Sequence, residues 1–400
     1  MSDVLRQPYR NIKVLDLTQG IAGPYCAEIL LQNGATVTKV EPPSGDWGRT
    51  IGYAPEGMSA IAISYNLGKR SVCIDATKAE GRALLLRMAL EADVVIESFR
   101  PGIMSKLGLS YESLSRDRPD MVYVSVTAFG EDGPYVDRPG SDSTLQAMSG
   151  LMVVNQDQNG NPRKMGILLV DVVTGIYAAQ ATATALYRRA VEGKGSHVQV
   201  SLLDGAAAAQ SNAIIDAVLG GGRPARPLSV PAGTFATMDG HINVTSLHDR
   251  MFAGLCRAIS RETWIDDARF NSAELRFAHA AELNALLDDI FRTQSTEHWL
   301  QMLREHSVVS APIHGYAEFL DDPQVKHRML FRQVDLEGIP PIPVARIPGV
   351  SPDAIPSAAP RMGEHTRSVL SDLGLSAMEI DVLFAGGVVT DAAGGSATEG

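Results

Sequence analysis

The chain is poor in cysteine. It contains three cysteines in 400 residues, Cys26, Cys73 and Cys256, and none belongs to a Cys-x-x-Cys motif. An odd and scattered set argues against a disulfide framework and against a zinc site. We therefore predict that each cysteine is a small buried hydrophobic residue and that the protein holds no metal. Histidines of the second half also lack metal-ligand spacing: His241, His248, His298, His306 and His314.

Long apolar and long basic stretches are missing as well. No apolar run approaches the ~20 residues that span a bilayer, and residues 1–4 do not begin a signal peptide. The net charge of −11 is not offset by a basic stripe, which argues against nucleic-acid binding. We expect a cytoplasmic protein that binds neither nucleic acid nor a membrane. With 45% hydrophobic residues, the chain can bury a core large enough for two domains.

Strand-like and helical segments alternate in the first third of the chain. Residues 12–17 and 35–41 are strand-like and enclose a helix that Asn33 and Gly34 end. Further strand-like runs follow at 71–74, 93–97 and 121–125. The alternation predicts an α/β fold with a doubly wound parallel sheet in its large domain. The turn at 18–24 lacks the Gly-x-Gly-x-x-Gly spacing, which disfavours a dinucleotide cofactor.

Composition changes after the glycine-rich turn at 220–224. Residues 235–244 are typical of a hairpin, and amphipathic helices follow, so we predict a smaller α+β domain at 225–325. Residues 1–224 are then the N-terminal part of the large domain. Residues 326–385 form a return connector, extended in its proline-rich stretch, and the C-terminal part of the large domain. We expect residues 386–400, rich in Gly and Ala, to be disordered.

Asp171 stands alone between two apolar runs. Apolar residues recur after it at spacings of four and three, which is typical of a helix with one buried face, so Asp171 lies at a helix start. A carboxylate in this place is either a helix cap or a nucleophile. The residues alone leave both interpretations open.

Four segments occur in an order and spacing that resemble one family. They are Leu15–Thr18 with Ala22-Gly23-Pro24, Asn66 with Lys69-Arg70-Ser71, Glu97–Gly102 with Lys106–Leu109, and Asp171 with Thr174-Gly175. On these motifs the chain resembles the class III (CaiB/BaiF-type) CoA-transferases, which include formyl-CoA and carnitine CoA-transferases. The resemblance runs from about residue 11 to residues 363–366, so it covers nearly the whole chain.

The resemblance implies covalent catalysis of CoA transfer by Asp171. The carboxylate would attack an acyl-CoA thioester to give a mixed anhydride, and the released CoA would convert this to an aspartyl-CoA thioester. Backbone N–H groups at the helix start would stabilise the oxyanions. The implied contacts of coenzyme A, which is a substrate as acyl-CoA, are Ile21, Ala22, Ile74, Asp75, Ala76, Thr77, Ser98, Phe99, Arg100, Lys106 and Arg138.

An interlocked homodimer is a further implication of the resemblance. In such a dimer each chain threads through a hole in the other, so the interface exceeds the ~2,000 Å² at which obligate dimers begin. We therefore expect a homodimer that does not dissociate on dilution.

The chain departs from relatives of known chemistry at three places. Pro42 stands where formyl-CoA transferase has an arginine, so one contact to the nucleotide is lost. Gly140-Ser141-Asp142 stands where acyl-CoA racemases of this fold carry Gly-His-Asp, which disfavours the alternative of a racemase or epimerase. Ser141 also replaces a tyrosine of formyl-CoA transferase, and no glycine-rich covering loop is evident at 220–222. Formate and oxalate are disfavoured as substrates for this reason.

A larger acid fits these departures better. We predict transfer of CoA from a donor such as succinyl-CoA to a C4 to C6 dicarboxylate, with succinate, itaconate, mesaconate or a citramalate-like acid as candidates. Gln146, Arg163 and Lys164 are candidate partners of the second carboxylate. A CoA-binding protein without catalysis, in which Asp171 is only a cap, is the alternative from another class.

Overall fold

The computed structural model describes residues 7–157, 159–221, 227–351 and 357–391. Its strands are β1 Lys13–Asp16, β2 Thr36–Glu41, β3 Arg70–Ile74, β4 Val94–Glu97, β5 Val122–Thr127, β6 Ser196–Ser201, β7 Ala232–Ala236, β8 His241–Thr245, β9 Val309–Pro312, β10 Phe331–Leu336, β11 Ile339–Ala345 and β12 Val389–Thr390. Its α-helices are α1 Ala22–Gln32, α2 Ala60–Ser64, α3 Ala79–Glu91, α4 Ile103–Leu107, α5 Tyr111–Leu114, α6 Asp142–Met148, α7 Leu151–Val154, α8 Leu169–Glu192, α9 Leu202–Ala209, α10 Ser211–Leu219, α11 Asp249–Ala258, α12 Ala273–Ala278, α13 Ala280–Phe291, α14 Thr296–Glu305, α15 Tyr316–Asp321, α16 Pro323–His327, α17 Thr366–Asp372 and α18 Ala377–Ala385.

A seven-stranded sheet forms the centre of the larger unit, in the order β12-β3-β2-β1-β4-β5-β6. The pairs from β3 to β6 are parallel, and β12 joins the edge antiparallel. Strands covered on both faces are continuous apolar runs, as at Val94, Val95 and Ile96, which are completely buried. The predicted doubly wound parallel sheet is thus confirmed. Its direction of growth reverses between β1 and β4, which is where ligands bind in such sheets.

Helix α8 packs against the sheet and is the longest helix of the described part, with 24 residues. By length and composition alone it could cross a membrane, and 44% of its apolar window is buried inside the protein. The expectation that no apolar stretch reaches this length overlooked it. Its residues Ala178, Ala179 and Leu186 belong to the core that also contains Cys26 and Leu30 of α1. The apolar stripe of α8 therefore serves packing between helices.

The smaller unit comprises residues 212–328. Strands β7, β8 and β9 form an antiparallel sheet, and β7 and β8 make the hairpin that the sequence predicts. Phe235, Leu255 and Trp299 lie in its own core. The unit boundaries fall at 211/212 and 328/329, whereas the sequence placed them at 224/225 and 325/326. The composition changes at a glycine-rich turn, but the contacts change already at the start of α10.

Two stretches near the C-terminus differ from the prediction. Strand β11, inside the proline-rich connector, pairs with β10 as a hairpin, so this part is not an unpaired extended chain. Strand β12 lies inside the stretch expected to be disordered and pairs with β3. Val388 and Val389 are buried against the core there, which explains why the chain stays ordered beyond Gly386. Residues 392–400 lie outside the described residues.

Candidate functional site

A cleft of about 420 Å³ opens at the carboxyl ends of β1, β4 and β5. It therefore lies at the point where the sheet order reverses. The loops after these strands and the start of α8 form its walls. It brings together seven of the residues implied by the resemblance: Ile21, Ala22, Ser98, Phe99, Arg100, Arg138 and Asp171.

The other implied CoA contacts do not line this cleft. Ile74 is buried in the core, with 2% of its surface exposed. Asp75 accepts hydrogen bonds from the backbone N–H and the hydroxyl of Thr77, which closes the turn after β3. These residues and Ala76 lie at the same edge of the sheet as the cleft, two strands away from β1. Lys106 is exposed in the last turn of α4, outside the cleft.

Asp171 is the third residue of α8 and half-buried in the wall of the cleft. The residue before the helix is Leu168, and no side chain caps from that position, so the interpretation of Asp171 as the cap is wrong. Among the described residues, no side chain or backbone group donates a hydrogen bond to its carboxylate. Burial, followed by the charge of Asp142, raises the pKa of Asp171 to about 7, although Lys164 acts in the opposite direction.

Asp142, the first residue of α6, supplies the missing cap. Its carboxylate is buried, and Oδ2 accepts the backbone N–H of Val170 at 2.8 Å and of Asp171 at 3.4 Å. Its Oδ1 accepts the side-chain amide of Gln146 at 2.6 Å. An anion at this place complements the positive end of the α8 dipole. The N–H groups expected to stabilise oxyanions at the start of α8 are thus occupied, and that expectation is wrong for Val170 and Asp171.

The start of α1 faces the same cleft. Ala22 and Gly23 line it, and as the first two residues of a helix their N–H groups have no helical acceptor. Gly175 of α8 allows the two helices to approach, because a Cβ there would lie 2.8 Å from the carbonyl oxygen of Ala22. Thr174 donates its hydroxyl to the carbonyl of Val170 and packs against α9. Thr174 and Gly175 are therefore packing residues that bring Asp171 near the start of α1.

A network of buried charges supports the loop between β1 and α1. Lys69 donates to Asp16 at 2.8 Å and to the carbonyl of Pro24 at 2.8 Å. Lys39 pairs with Asp46 at 2.8 Å and donates to the carbonyl of Thr18. Lys69 has 1% of its surface exposed, so it cannot reach a ligand. Asp16 and Lys69 thus shape the cleft without lining it, whereas their motif neighbour Leu17 lines it.

Two arginines are available for an anionic ligand and one is not. Arg100 is exposed, and its guanidinium has no ion-pair partner among the described residues. Arg138 lies over the Tyr135 ring at 3.8 Å from the ring centre. Arg49 is near Pro42 in the chain, but it is buried and grips Glu41 with two hydrogen bonds of 2.6 and 2.7 Å. Arg49 therefore does not replace the arginine that is absent at position 42.

The acid-binding set predicted from the sequence is only partly compatible with the structure. Gln146 is completely buried; it donates to Asp142 and to the carbonyl of Ile167, and it accepts the N–H of Met165. It has no group left for a substrate, so its assignment as a carboxylate partner is wrong. Arg163 and Lys164 are exposed in the segment before α8.

Sequence reasoning missed three further residues of the site. Trp47 is half-exposed, lines the cleft and lies so close to Gly20 that a Cβ there would collide with its ring. Tyr65 is linked to the nucleophile by charge, since burial, Tyr25 and the Asp171 carboxylate together raise its pKa to about 12. Asp142 entered the sequence analysis only as part of Gly140-Ser141-Asp142, where racemases carry a histidine, and it was given no role of its own. A serine cap directly before an aspartate was the available signal for an α6 start there.

Cys26, Cys73 and Cys256 are all buried and unpaired, which confirms the prediction for them. Burial raises the pKa of Cys26 and Cys256 to about 12. Among the residues that the structure describes, no cluster of His, Cys, Asp and Glu is suited to a metal ion. No histidine is found among the described residues that line the cleft.

Comparison with known proteins places the chain among CoA-transferases. The model of CoA-transferase family III matches residues 9–366. The chain is 33% identical to the succinate–glutarate CoA-transferase of Agrobacterium fabrum, over 92% of this chain and 96% of that protein. It is 33% identical to the acetyl-CoA:oxalate CoA-transferase of Acetobacter aceti, over 90% and 94%. The crystal structure of a CaiB/BaiF family protein from Brucella suis has a TM-score of 0.83 at 34% identity and covers 92% of this chain and 100% of that one.

Proposed function

The chain belongs to CoA-transferase family III, and on that premise we propose that it moves CoA from an acyl-CoA to a carboxylic acid through covalent intermediates on Asp171. The observation that carries the proposal is the state of this carboxylate. It is half-buried in the cleft wall, receives no hydrogen bond from the described residues, and has its pKa raised to about 7. Perturbed carboxylates in a cleft are typical of functional groups.

The first half of the reaction loads CoA onto Asp171. A carboxylate oxygen of Asp171 attacks the thioester carbonyl carbon; a C–O bond forms, the C–S bond breaks, and the electron pair leaves with sulfur as CoA thiolate. The thiolate then attacks the side-chain carbonyl carbon of Asp171 in the mixed anhydride. A C–S bond forms, the anhydride C–O bond breaks, and the donor acid leaves as a carboxylate. Each step exchanges one anion for another, so no external proton donor is required.

The second half repeats these steps with the acceptor. Its carboxylate attacks the aspartyl thioester and releases CoA thiolate, which then attacks the acyl carbon of the acceptor and restores the Asp171 carboxylate. A basic carboxylate is the better nucleophile, and the raised pKa of Asp171 serves this purpose while leaving it largely ionised above pH 7. We propose the N–H groups of Ala22 and Gly23 as oxyanion donors, since they face the same cleft.

We propose that the phosphates of CoA bind to Arg100 and Arg138. Guanidinium groups grip phosphate oxygens in pairs, and both residues line the cleft. Lys106 and the turn at 74–77 would meet the nucleotide end only if CoA extends beyond the cleft along the sheet edge. Trp47 offers an exposed ring beside Gly20 for contact with the ligand.

The acceptor that we propose is a C4 to C6 dicarboxylate such as succinate, itaconate or mesaconate, with succinyl-CoA as donor. The name of the Agrobacterium fabrum relative includes two dicarboxylates of this size, succinate and glutarate. The small Ser141 in the cleft leaves room for the longer acid. Lys164 is the remaining cation whose charge acts on Asp171, and its ammonium is exposed, so it is the proposed partner of the distal carboxylate.

We also propose that the protein is a cytoplasmic homodimer with interlocked chains. Tyr187 and Val191 of α8 support an interface, because they are 73% and 66% exposed on a helix whose other face is in the core. An interlocked dimer should persist at nanomolar concentration. Sedimentation that finds a monomer, or a dimer that dissociates on dilution, would disprove this arrangement.

Isotope exchange with an Asp171 variant tests the proposed activity. The enzyme is incubated with succinyl-CoA and labelled dicarboxylates, and label in acyl-CoA is measured for the parent, Asp171→Ala and the control Asp132→Asn. We expect Asp171→Ala to lose at least about 1,000-fold in rate, because the covalent route is gone, and the exposed Asp132 to be dispensable.

Trapping identifies the intermediate directly. Hydroxylamine added with the donor should convert the side chain of Asp171 to a hydroxamate, which mass spectrometry finds in its peptide. Turnover by Asp171→Ala at the parent rate would remove the assigned nucleophile. Binding of CoA without exchange would indicate a carrier instead, and exchange of the α-proton of an acyl-CoA without CoA transfer would indicate a racemase.

A further inference from the structure

The carboxylate of Asp142 accepts the backbone N–H of Asp171, and its charge acts on the side chain of Asp171. We propose that Asp142 is a positioning residue, which fixes the start of α8 and destabilises the free carboxylate of Asp171 so that its acylation is favoured. This inference rests on the proposed CoA transfer and adds a second residue to it.

The contacts of Asp142 leave its carboxylate no freedom. Only 2% of its surface is exposed, and its two oxygens accept from Val170, Asp171 and Gln146. These three donors hold both oxygens of the buried carboxyl in place. The Asp142 carboxylate is therefore fixed in its position at the start of α8.

The same contacts tie down the segment that carries the nucleophile. Gln146, which donates to Asp142, also bonds to the carbonyl of Ile167 and the N–H of Met165. The chain is thus held before α8, at Val170 and at Asp171 itself. A nucleophile must be placed within a fraction of an ångström of its target, and rigid support of this kind provides that.

The proximity of two acids has a consequence for the reaction. Asp171 carries a negative charge only when it is free, because both the anhydride and the thioester of its side chain are neutral. Repulsion from Asp142 therefore raises the free energy of the free carboxylate and not that of the acylated forms. Acylation relieves the repulsion, so Asp142 favours the covalent intermediates.

The other groups that act on Asp171 do not oppose this role. Lys164, from the segment before α8, attracts its charge and acts in the opposite direction to Asp142. Tyr65, at the end of α2, is neutral near pH 7, since its own pKa is raised to about 12. Among the groups that shift the pKa of Asp171, Asp142 is thus the source of the repulsion.

Three substitutions separate positioning from charge. Asp142→Asn keeps an oxygen for the N–H groups of Val170 and Asp171 but removes the charge. Asp142→Glu keeps the charge and displaces the carboxylate. Asp142→Ala removes both. Asp132→Asn is the matched control, because it removes one negative charge at an exposed residue that does not line the cleft. Thermal unfolding of each variant shows whether it is folded.

The protonation of Asp171 is read without any transfer assay. A carbodiimide with an amine couples to protonated carboxyls, and mass spectrometry measures labelling of the Asp171 peptide against pH. We expect the midpoint to fall by about one pH unit in Asp142→Asn and to stay at the parent value in Asp132→Asn. An unchanged midpoint in folded Asp142→Asn would overturn the role assigned to the charge, even if the enzyme transfers CoA.

The rate of CoA exchange then tests whether Asp142 positions the nucleophile. We expect CoA exchange to fall about 100-fold in Asp142→Ala, and the acid limb of the pH profile to move to lower pH in Asp142→Asn. In Asp142→Glu the labelling midpoint should stay high while turnover falls. Parent turnover in Asp142→Ala would overturn the positioning role. If the parent enzyme showed no CoA exchange while the labelling midpoint still shifted in Asp142→Asn, the proposed function would be wrong. The coupling between the two aspartates would still stand.

Discussion

Two pairs of carboxylates in the larger unit have opposite surroundings. Beneath the loop after β1, Asp16 faces Lys69 and Asp46 faces Lys39, each pair at 2.8 Å. At the start of α8, Asp142 lies beside Asp171 without a cation in hydrogen-bonding contact. Burial alone would raise the pKa of Asp16, but the two lysines overcome it and hold its pKa below the ordinary value. The pKa of Asp171 rises instead.

The difference separates charges that build the cleft from a charge that reacts in it. A compensated buried ion is inert, because moving either proton or ligand to it breaks a pair. An uncompensated one stores free energy that a reaction can release. Four substitutions, each of one charged residue, test this difference through the stability of the folded state or the affinity for CoA. They are ordered from the largest expected effect to the smallest.

Loss of Lys69 should have the largest effect on stability. Lys69→Met leaves Asp16 buried without its partner, and the free energy of unfolding should fall by about 3–5 kcal/mol, as measured by urea unfolding. The double variant Asp16→Asn with Lys69→Met is the control, since it removes both charges and should recover most of the loss. If the free energy of unfolding of Lys69→Met lay within about 1 kcal/mol of the parent value, the pair would not be needed for stability.

Removing the reactive charge should do the reverse. The pKa of Asp171 is raised from 3.8 to about 7, so ionising it costs the folded protein free energy that grows between these pH values and is constant above. Asp171→Asn should therefore be more stable than the parent by about 1–2 kcal/mol at pH 8. The gain should vanish as the pH falls towards 4. Equal gains at pH 8 and pH 5 would show that the charge of Asp171 is not the cause.

How far the sequence predicts this molecule depends on the range of the interactions. Buried parallel strands are continuous apolar runs, so the sheet and the buried cysteines follow from local composition. Asp142 accepts the N–H of Val170 across 28 positions, and Lys69 reaches Asp16 across 53. Local periodicity carries no record of such partners. For the same reason Gln146 was assigned to a substrate although the protein itself uses its amide.

Residue types alone also cannot distinguish paired from free cations. Arg49 and Arg100 are both arginines near cleft loops, yet Arg49 is committed to Glu41 and Arg100 is exposed. Likewise, Asp16 and Asp46 are paired with lysines, whereas Asp142 receives hydrogen bonds only from neutral groups. Only the fold decides which charges remain for a ligand.

Arg100 should therefore affect binding and not folding. Arg100→Ala is expected to weaken CoA about tenfold, or ~1.4 kcal/mol, with unchanged thermal unfolding. Isothermal titration with CoA measures this. Arg116→Ala, an exposed arginine outside the cleft, is the matched control and should bind CoA as the parent does. Equal affinities of the two variants would remove Arg100 from the phosphate site.

The smallest effect on stability is expected at Arg70, directly beside Lys69, where the largest is expected. Arg70 follows Lys69 in the same motif, but its pair with Asp372 is solvated, with the two side chains 30% and 66% exposed. A solvated pair gains little, because water stabilises both charges when they separate. Arg70→Ala should change the free energy of unfolding by at most about 1 kcal/mol, less in high salt. A loss as large as that of Lys69→Met would show that motif membership, and not burial, decides the cost of removing a charge.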